Sequence, residues 1–132
     1  LDNLIYERNI EQIRNICQSL AQLHGAEISF RIAHHVPVTL NDPEVTAVAR
    51  TSAGKIFPET GILAVPPMLG GEDFAYIARD IPSCFAFLGT QKPGDAPSSR
   101  HHPQMMIDED ALPFGSAFLA QGAIDLLMTG HV

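Results

Sequence analysis

Basic residues are scarce in this chain: its 132 residues include eight Lys and Arg against fifteen Asp and Glu, which gives a formal net charge of −7. Nucleic acids and anionic membranes both bind positively charged faces, so this balance argues against either partner. Long apolar runs are lacking too, because none reaches the roughly 20 residues of a membrane-spanning helix. No basic segment followed by an apolar one marks a secretory signal at the N-terminus.

Cysteine is also rare, and the two that occur, Cys17 and Cys84, are far apart in the sequence. They form no Cys-x-x-Cys pair and make no metal site by themselves. Both lie among apolar residues, which favours free thiols in a reducing compartment over a disulfide or a catalytic cysteine, so we expect a cytoplasmic protein. A Gly-x-Ser-x-Gly nucleophile motif and a phosphate-binding P-loop are both missing, so neither of these site types has support.

The N-terminal part of the chain shows two periodicities in succession. Apolar residues recur at helical spacing over residues 3–24, and Gly25 stands where the residue after a helix end is expected. Over residues 26–32 apolar and polar residues alternate, which predicts a strand with one solvent-facing side. An exposed strand of this kind suits pairing with a second subunit.

Helical and strand patterns then alternate along the rest of the chain. Asp42 and Pro43 are a strong helix start, as N-cap and first helical residue. Two short apolar runs, 62–65 and 84–89, predict buried strands, and a last helix is expected over about 108–130. The buried side predicted for this last helix comprises Leu112, Phe114, Ala117, Phe118, Ala120, Ile124 and Leu127. This order of elements predicts an α/β layered structure.

Two short motifs carry residues capable of chemistry. Gly70 and Gly71 precede Glu72 at the start of a predicted helix, where glycine lets the backbone approach a ligand; the acids here could equally stabilise the helix without function. His101 closes a long polar loop after a predicted buried strand, where α/β proteins often place chemistry, and a neutral imidazole is a good ligand for Zn²⁺. One histidine is too few for a metal site, which takes about three or four ligands.

Four runs in this order resemble the C-terminal part of the M20 metallopeptidase family: residues 68–75 (MLGGEDFA), 85–90 (FAFLGT), 101–103 (HHP) and 108–115 (DEDALPFG). The resemblance is greatest to the amidohydrolase branch, which holds hippurate hydrolases, N-acyl-amino-acid amidohydrolases and auxin-conjugate hydrolases. Residues 39–44 (TLNDPE) also resemble a run of that branch, and the match corresponds to about the last third of a family member.

The resemblance implies a fold and a domain division. Residues 1–37 would be the last helix and strand of an α+β lid or dimerisation domain. Residues 38–132 would be the C-terminal, helix-strand layered part of a zinc-peptidase-like catalytic domain of the α/β class. Because the family's lid domain dimerises, the parent protein is expected to be a homodimer.

The resemblance also implies roles for single residues. His101 matches a ligand of one metal in a site for two divalent ions, which could be Zn, Mn, Ni or Co. Gly70, Gly71 and Glu72 match the loop that lines the substrate pocket. The family's general base belongs to an adjacent Glu-Glu pair, and no such pair occurs in this sequence, so no catalytic residue is assigned and the chain alone is expected to be inactive.

The function that follows is hydrolysis of the amide bond of small N-acyl amino acids, with hippurate-like substrates, by metal-activated water in the parent protein. Two alternatives stay open. The chain could be a truncated, non-catalytic homologue that serves as a dimerisation or binding module. It could also belong to a peptidase of another M20 branch, which is less favoured because those branches usually read Gly-Gly-x-Asp.

Overall fold

The computed structural model of the protein describes residues 3–33, 36–95 and 100–130. Its α-helices in this part of the chain are α1 (Asn3–His24), α2 (Pro43–Ile56), α3 (Ala75–Asp80) and α4 (Leu112–Thr129). Short 3₁₀ turns lie at Glu59–Gly61 and Glu109–Ala111. The chain forms two compact units: unit 1 is Leu1–Leu40 with Pro66–Ile81, and unit 2 is Asn41–Val65 with Pro82–Val132. The predicted domain boundary after residue 37 stays a prediction.

The predicted α/β layered fold is wrong, because the described residues are helical and contain no strand. The three segments expected to be strands, 26–32, 62–65 and 84–89, run as irregular chain between the helices. A strand exists only as part of a ladder of backbone hydrogen bonds to a neighbour, and no ladder forms among the described residues. An alternating or apolar pattern is therefore not enough to make a sheet here.

The helix ends follow the local signals in the sequence. Gly25 has a φ of 59° and the Ala26 N–H bonds to the Ala21 carbonyl at 2.9 Å, which ends α1 in a left-handed cap. The carboxylate of Asp42 accepts the N–H groups of residues 44 and 45, both at 2.9 Å, at the start of α2. Gly130, with a φ of 70°, ends α4 in the same way as Gly25 ends α1. The predictions for these three helices are confirmed.

In unit 2, α2 packs against α4 through one polar cluster and one aromatic cluster. The Asp125 carboxylate on α4 accepts hydrogen bonds from Lys55 Nζ and Ser52 Oγ on α2, both at 2.6 Å, and from Gln121 Nε2 at 2.9 Å. Ser52 is fully buried, and its hydroxyl also lies 3.0 Å from the Val48 carbonyl of its own helix, so this buried group is hydrogen-bonded. Beside the cluster, the ring of Phe57 lies 6.1 Å and 6.4 Å from those of two phenylalanines on α4, Phe114 and Phe118.

Asn41, just before α2, holds the segment around Phe85 by side-chain hydrogen bonds. Its Oδ1 accepts the Phe85 N–H at 2.8 Å, and its Nδ2 donates to the Phe85 carbonyl at 2.9 Å. The neighbouring Asp42 N–H donates to the Ser83 carbonyl at 2.8 Å. The carboxamide thus satisfies both backbone groups of Phe85, as an adjacent strand would.

The apolar face of α4 is less covered than the sequence predicts. Of the seven residues predicted to be buried, Phe118 is half-buried and the other six are exposed, so the predicted burial is wrong for Leu112, Phe114, Ala117, Ala120, Ile124 and Leu127. By length and composition alone, the helical stretch Glu109–Thr129 is suitable for crossing a membrane, which the search for uninterrupted apolar runs did not anticipate. One such helix is weak support for a membrane span, since the core helix of a soluble protein passes the same criterion.

We expect Asp125→Asn to lower the stability of the intact protein near neutral pH, because Lys55 and Ser52 both donate to this carboxylate. Their hydrogen bonds, that of Lys55 first, lower the pKa of Asp125 below the ordinary aspartate value, although partial burial opposes this. A carboxyl with a lowered folded-state pKa stabilises fully above the unfolded value of about 3.9, and this contribution is lost as pH falls through the folded-state pKa.

The measurement is the urea midpoint of wild type and variant from about pH 7 to about pH 3, where the difference between them should shrink. The matched control is Asp80→Asn. Asp80 pairs with the adjacent Arg79 at 2.8 Å on an exposed surface, and such pairs contribute little. A loss of stability no larger in Asp125→Asn than in Asp80→Asn would contradict this role.

Candidate functional site

His101, the predicted metal ligand, lies in unit 2 in the polar loop that precedes α4. The base of this loop is closed by a hydrogen bond from the Asp108 N–H to the Thr90 carbonyl at 2.8 Å. Asp108 also begins the helical stretch that follows, since its carboxylate accepts the Asp110 N–H at 3.2 Å. The position of the loop is therefore tied to the start of the last helix.

The backbone of His101 is unusual. Its φ is 69°, and among the described residues it is the one non-glycine residue with a positive φ. This left-handed conformation costs an ordinary L-residue about 1–2 kcal/mol, so it persists only where the surrounding structure holds it. Such outliers cluster at ligand-binding and catalytic positions, which agrees with the role predicted for this residue.

Contacts on both sides of His101 fix its neighbours. The guanidinium carbon of Arg100 lies 4.7 Å from the ring centre of Phe87, a cation–π distance. On the other side, His102 Nδ1 accepts the Gln104 N–H at 3.2 Å. Neither contact is predicted from the sequence. The contact between Arg100 and Phe87 joins residues that are distant in the sequence, so no local pattern indicates it. The hydrogen bond from Gln104 to His102 lies in a turn, and Pro103 is a sequence signal for such a turn.

The predicted substrate-side residues lie in unit 1, directly before α3. The Glu72 carbonyl accepts the N–H of Ala75, which is fully buried at the start of that helix. A Cβ added to Gly71 would lie 3.6 Å from the Cβ of Val36, which is ordinary contact, and one added to Gly70 would meet no atom within 4 Å. Since α3 has only six residues, its N-terminus is a weaker anion site than a long helix would offer.

The predicted site residues are divided between the two units of the chain. Gly70, Gly71 and Glu72 are consecutive in unit 1, and His101 belongs to unit 2. As an imidazole, His101 suits a divalent ion such as Zn²⁺ as a single donor. No group of three or more His, Cys, Asp or Glu side chains able to hold an ion occurs in the described part of the chain, so these residues do not complete a metal site.

Other expectations about the chemistry can be compared with the structure. Cys17 and Cys84 are both free, and both are half-buried rather than fully buried. The Cys84 sulfur is 3.6 Å from the amide nitrogen of Asn41 and serves as a weak acceptor.

The sequence profile described as "Peptidase family M20/M25/M40" matches residues 5–124, which confirms the resemblance stated from the four motifs. "IAA-amino acid hydrolase ILR1-like 2" of Arabidopsis thaliana is 26% identical over 89% of this chain and 28% of its own length. "N-acetylcysteine deacetylase" of Bacillus subtilis (strain 168) is 30% identical over 90% of this chain and 30% of its own length.

A second Bacillus subtilis protein, "N-acetyl-L-cysteine deacetylase", is 38% identical over 69% of this chain and 20% of its own length. No solved structure gives a significant match to this chain. The chain thus spans less than a third of the length of these curated relatives. The similarity concerns one part of each relative, and the family match over residues 5–124 includes the segments that hold His101 and Gly70–Glu72.

Proposed function

Because this chain belongs to peptidase family M20/M25/M40, we propose that the intact protein is a metal-dependent amidohydrolase that removes the acyl group from N-acyl amino acids. The observation that carries this proposal is the family match over residues 5–124. The family is generally metal-dependent, and the names of the relatives given above describe an amino-acid conjugate and N-acetylcysteine as substrates. These substrates share an amide bond to the nitrogen of an amino acid.

The described residues would contribute parts of such a site. The imidazole of His101 would provide one ligand, held by a backbone whose positive φ is fixed on both sides. Gly70 and Gly71 leave room for the substrate to approach the backbone, and Glu72 would lie on the substrate side. A bound divalent ion lowers the pKa of a coordinated water and polarises the amide carbonyl. The general base would come from outside this chain.

His101→Ala in the intact protein is expected to remove one equivalent of bound metal and to lower kcat/KM for an N-acetyl amino acid by more than about 100-fold. Replacing a residue that only supports a metal ligand already lowers metal affinity or activity by about 10–100-fold. The assay measures release of the free amino acid from N-acetylcysteine and hippurate, with metal content by mass spectrometry.

The control variant is His24→Ala, at the exposed end of α1, which should leave metal content and rate unchanged. Wild-type metal content in His101→Ala would exclude this residue as a ligand. Cleavage of small peptides in preference to acyl amino acids would assign the protein to another branch of the family. Absence of any hydrolysis by the metal-loaded intact protein would favour the non-catalytic alternative.

Gly70→Ala is expected to lower kcat/KM for the acyl amino acid without lowering the thermal midpoint of the intact protein. Within unit 1 the added methyl group meets no atom within 4 Å, so a loss of rate would come from the space that the substrate needs. Glu72→Gln should lower kcat/KM as well. The control is Gly54→Ala in the last turn of α2, where the new side chain also meets nothing within 4 Å.

Gly54→Ala should raise the free energy of unfolding by about 0.5–1 kcal/mol through helix propensity and leave the kinetics as they are. A decrease in the thermal midpoint of Gly70→Ala as large as its loss of activity would contradict a substrate-side role. Unchanged kinetics in both Gly70→Ala and Glu72→Gln would exclude this loop from the pocket.

We also propose that the intact protein is a cytoplasmic homodimer. The free cysteines agree with a reducing compartment. In unit 1, Ile28 and Ile32 are 43% and 40% exposed on a segment without a backbone ladder among the described residues, and a second copy could cover them.

Light scattering of the intact protein should therefore give twice the monomer mass. The double variant Ile28→Lys with Ile32→Lys should give the monomer mass, whereas Leu63→Lys, at a still more exposed apolar position in unit 2, should not. A monomeric wild type would contradict the proposal, and so would a double variant that still dimerises.

A further inference from the structure

Two adjacent histidines, His101 and His102, occupy different structural positions in the loop before α4. His102 is the first residue of a β-turn, in which its carbonyl accepts the Met105 N–H at 2.9 Å. Pro103 is the second residue of this turn, where its fixed φ is favourable. His101 precedes the turn and carries the positive φ.

The imidazole of His102 completes the turn. Its Nδ1 accepts the N–H of Gln104, two residues ahead, at 3.2 Å. Asp, Asn and Ser are the residues that commonly stand first in such turns, because their side-chain oxygens accept this same N–H. Here a ring nitrogen takes the place of that oxygen. Since a neutral imidazole has one donor and one acceptor nitrogen, Nδ1 is the acceptor and the proton lies on Nε2.

We propose that His102 is a positioning residue: through its bond to Gln104 it fixes the turn that keeps His101 in its left-handed backbone conformation. The positive φ of His101 needs support from its surroundings. The chain after it is constrained by two hydrogen bonds of the turn, and the chain before it by the stacking of Arg100 on Phe87. The role of His102 rests on the proposed function only in that His101 is the group it positions for a metal ion.

This assignment separates the two histidines by chemistry. The lone pair that His102 Nδ1 gives to Gln104 is not free for a metal ion. Position 102 requires a side-chain atom that can accept the Gln104 N–H, and this atom need not belong to an imidazole. Asn offers that acceptor as Oδ1, and Leu has nearly the same shape as Asn without it. The pair His102→Asn and His102→Leu therefore isolates the hydrogen bond.

The experiment measures binding of Zn²⁺ alone to the intact protein by competition with a chromophoric chelator. His102→Asn should keep the wild-type affinity, and His102→Leu should lose about 10-fold or more, as expected for a residue that orients a ligand. His101→Ala serves as the reference for a lost ligand. A long-range ¹H–¹⁵N spectrum of histidine-labelled wild-type protein should show His102 protonated at Nε2 and unprotonated at Nδ1.

The outcomes are distinguishable. Wild-type affinity in His101→Ala would mean that the proposed ligand is wrong, whereas loss in His101→Ala with none in His102→Leu would overturn the positioning role alone. Equal loss in His102→Asn and His102→Leu would show that the imidazole itself is needed and would also overturn it. The tautomer is read on the wild type, so it tests the bond even where His102→Leu fails to fold, and protonation at Nδ1 would refute the proposal.

Discussion

The carboxylate of Asp125 is the point at which the two long helices of unit 2 are joined. Ser52 is fully buried on α2, where its hydroxyl lies 3.0 Å from the Val48 carbonyl of the same helix and donates to the Asp125 carboxylate of α4 at 2.6 Å. Asp125 also accepts from Lys55 and Gln121, which uses three of its lone-pair sites. Because the donors lie on both helices, this cluster fixes the face that each helix turns toward the other.

The loop that carries His101 depends on this packing. The last helical stretch begins at Asp108, whose N–H bonds to the Thr90 carbonyl and closes the base of the loop. The positions of both ends of the loop thus depend on where the helical stretch before α4 begins. The position of α4 in turn depends on its packing against α2. Around His101 itself, local contacts hold the residue on either side, Arg100 by its contact with Phe87 and His102 by its hydrogen bond from Gln104. A strained backbone at one residue is stable when it is built into a frame of this kind.

The sequence was sufficient for the features of the fold that depend on near neighbours. Asp42 caps a helix through N–H groups two and three residues ahead, and Gly25 and Gly130 end helices through their own φ. The local sequence alone therefore predicts these helix ends. The strands failed because a strand is defined by a partner. Residues 26–32 have the alternation of a strand, but no described segment offers them a ladder, and the pattern contains no information about whether one exists.

In the candidate site too, the local sequence predicts some features and leaves out those that depend on distant contacts or on backbone conformation. The motif around residues 101–103 identified His101 as a ligand candidate, but the motif carries no φ angle and no cation–π contact from Arg100 to a distant Phe87. His102 stood in a position that the motif leaves variable, and a count of histidines makes it a second possible ligand. The turn around Pro103 decides otherwise, because a ring nitrogen that holds a backbone N–H has its lone pair engaged. In the proposed assignment, two identical side chains thus have different roles because different backbone groups lie beside them.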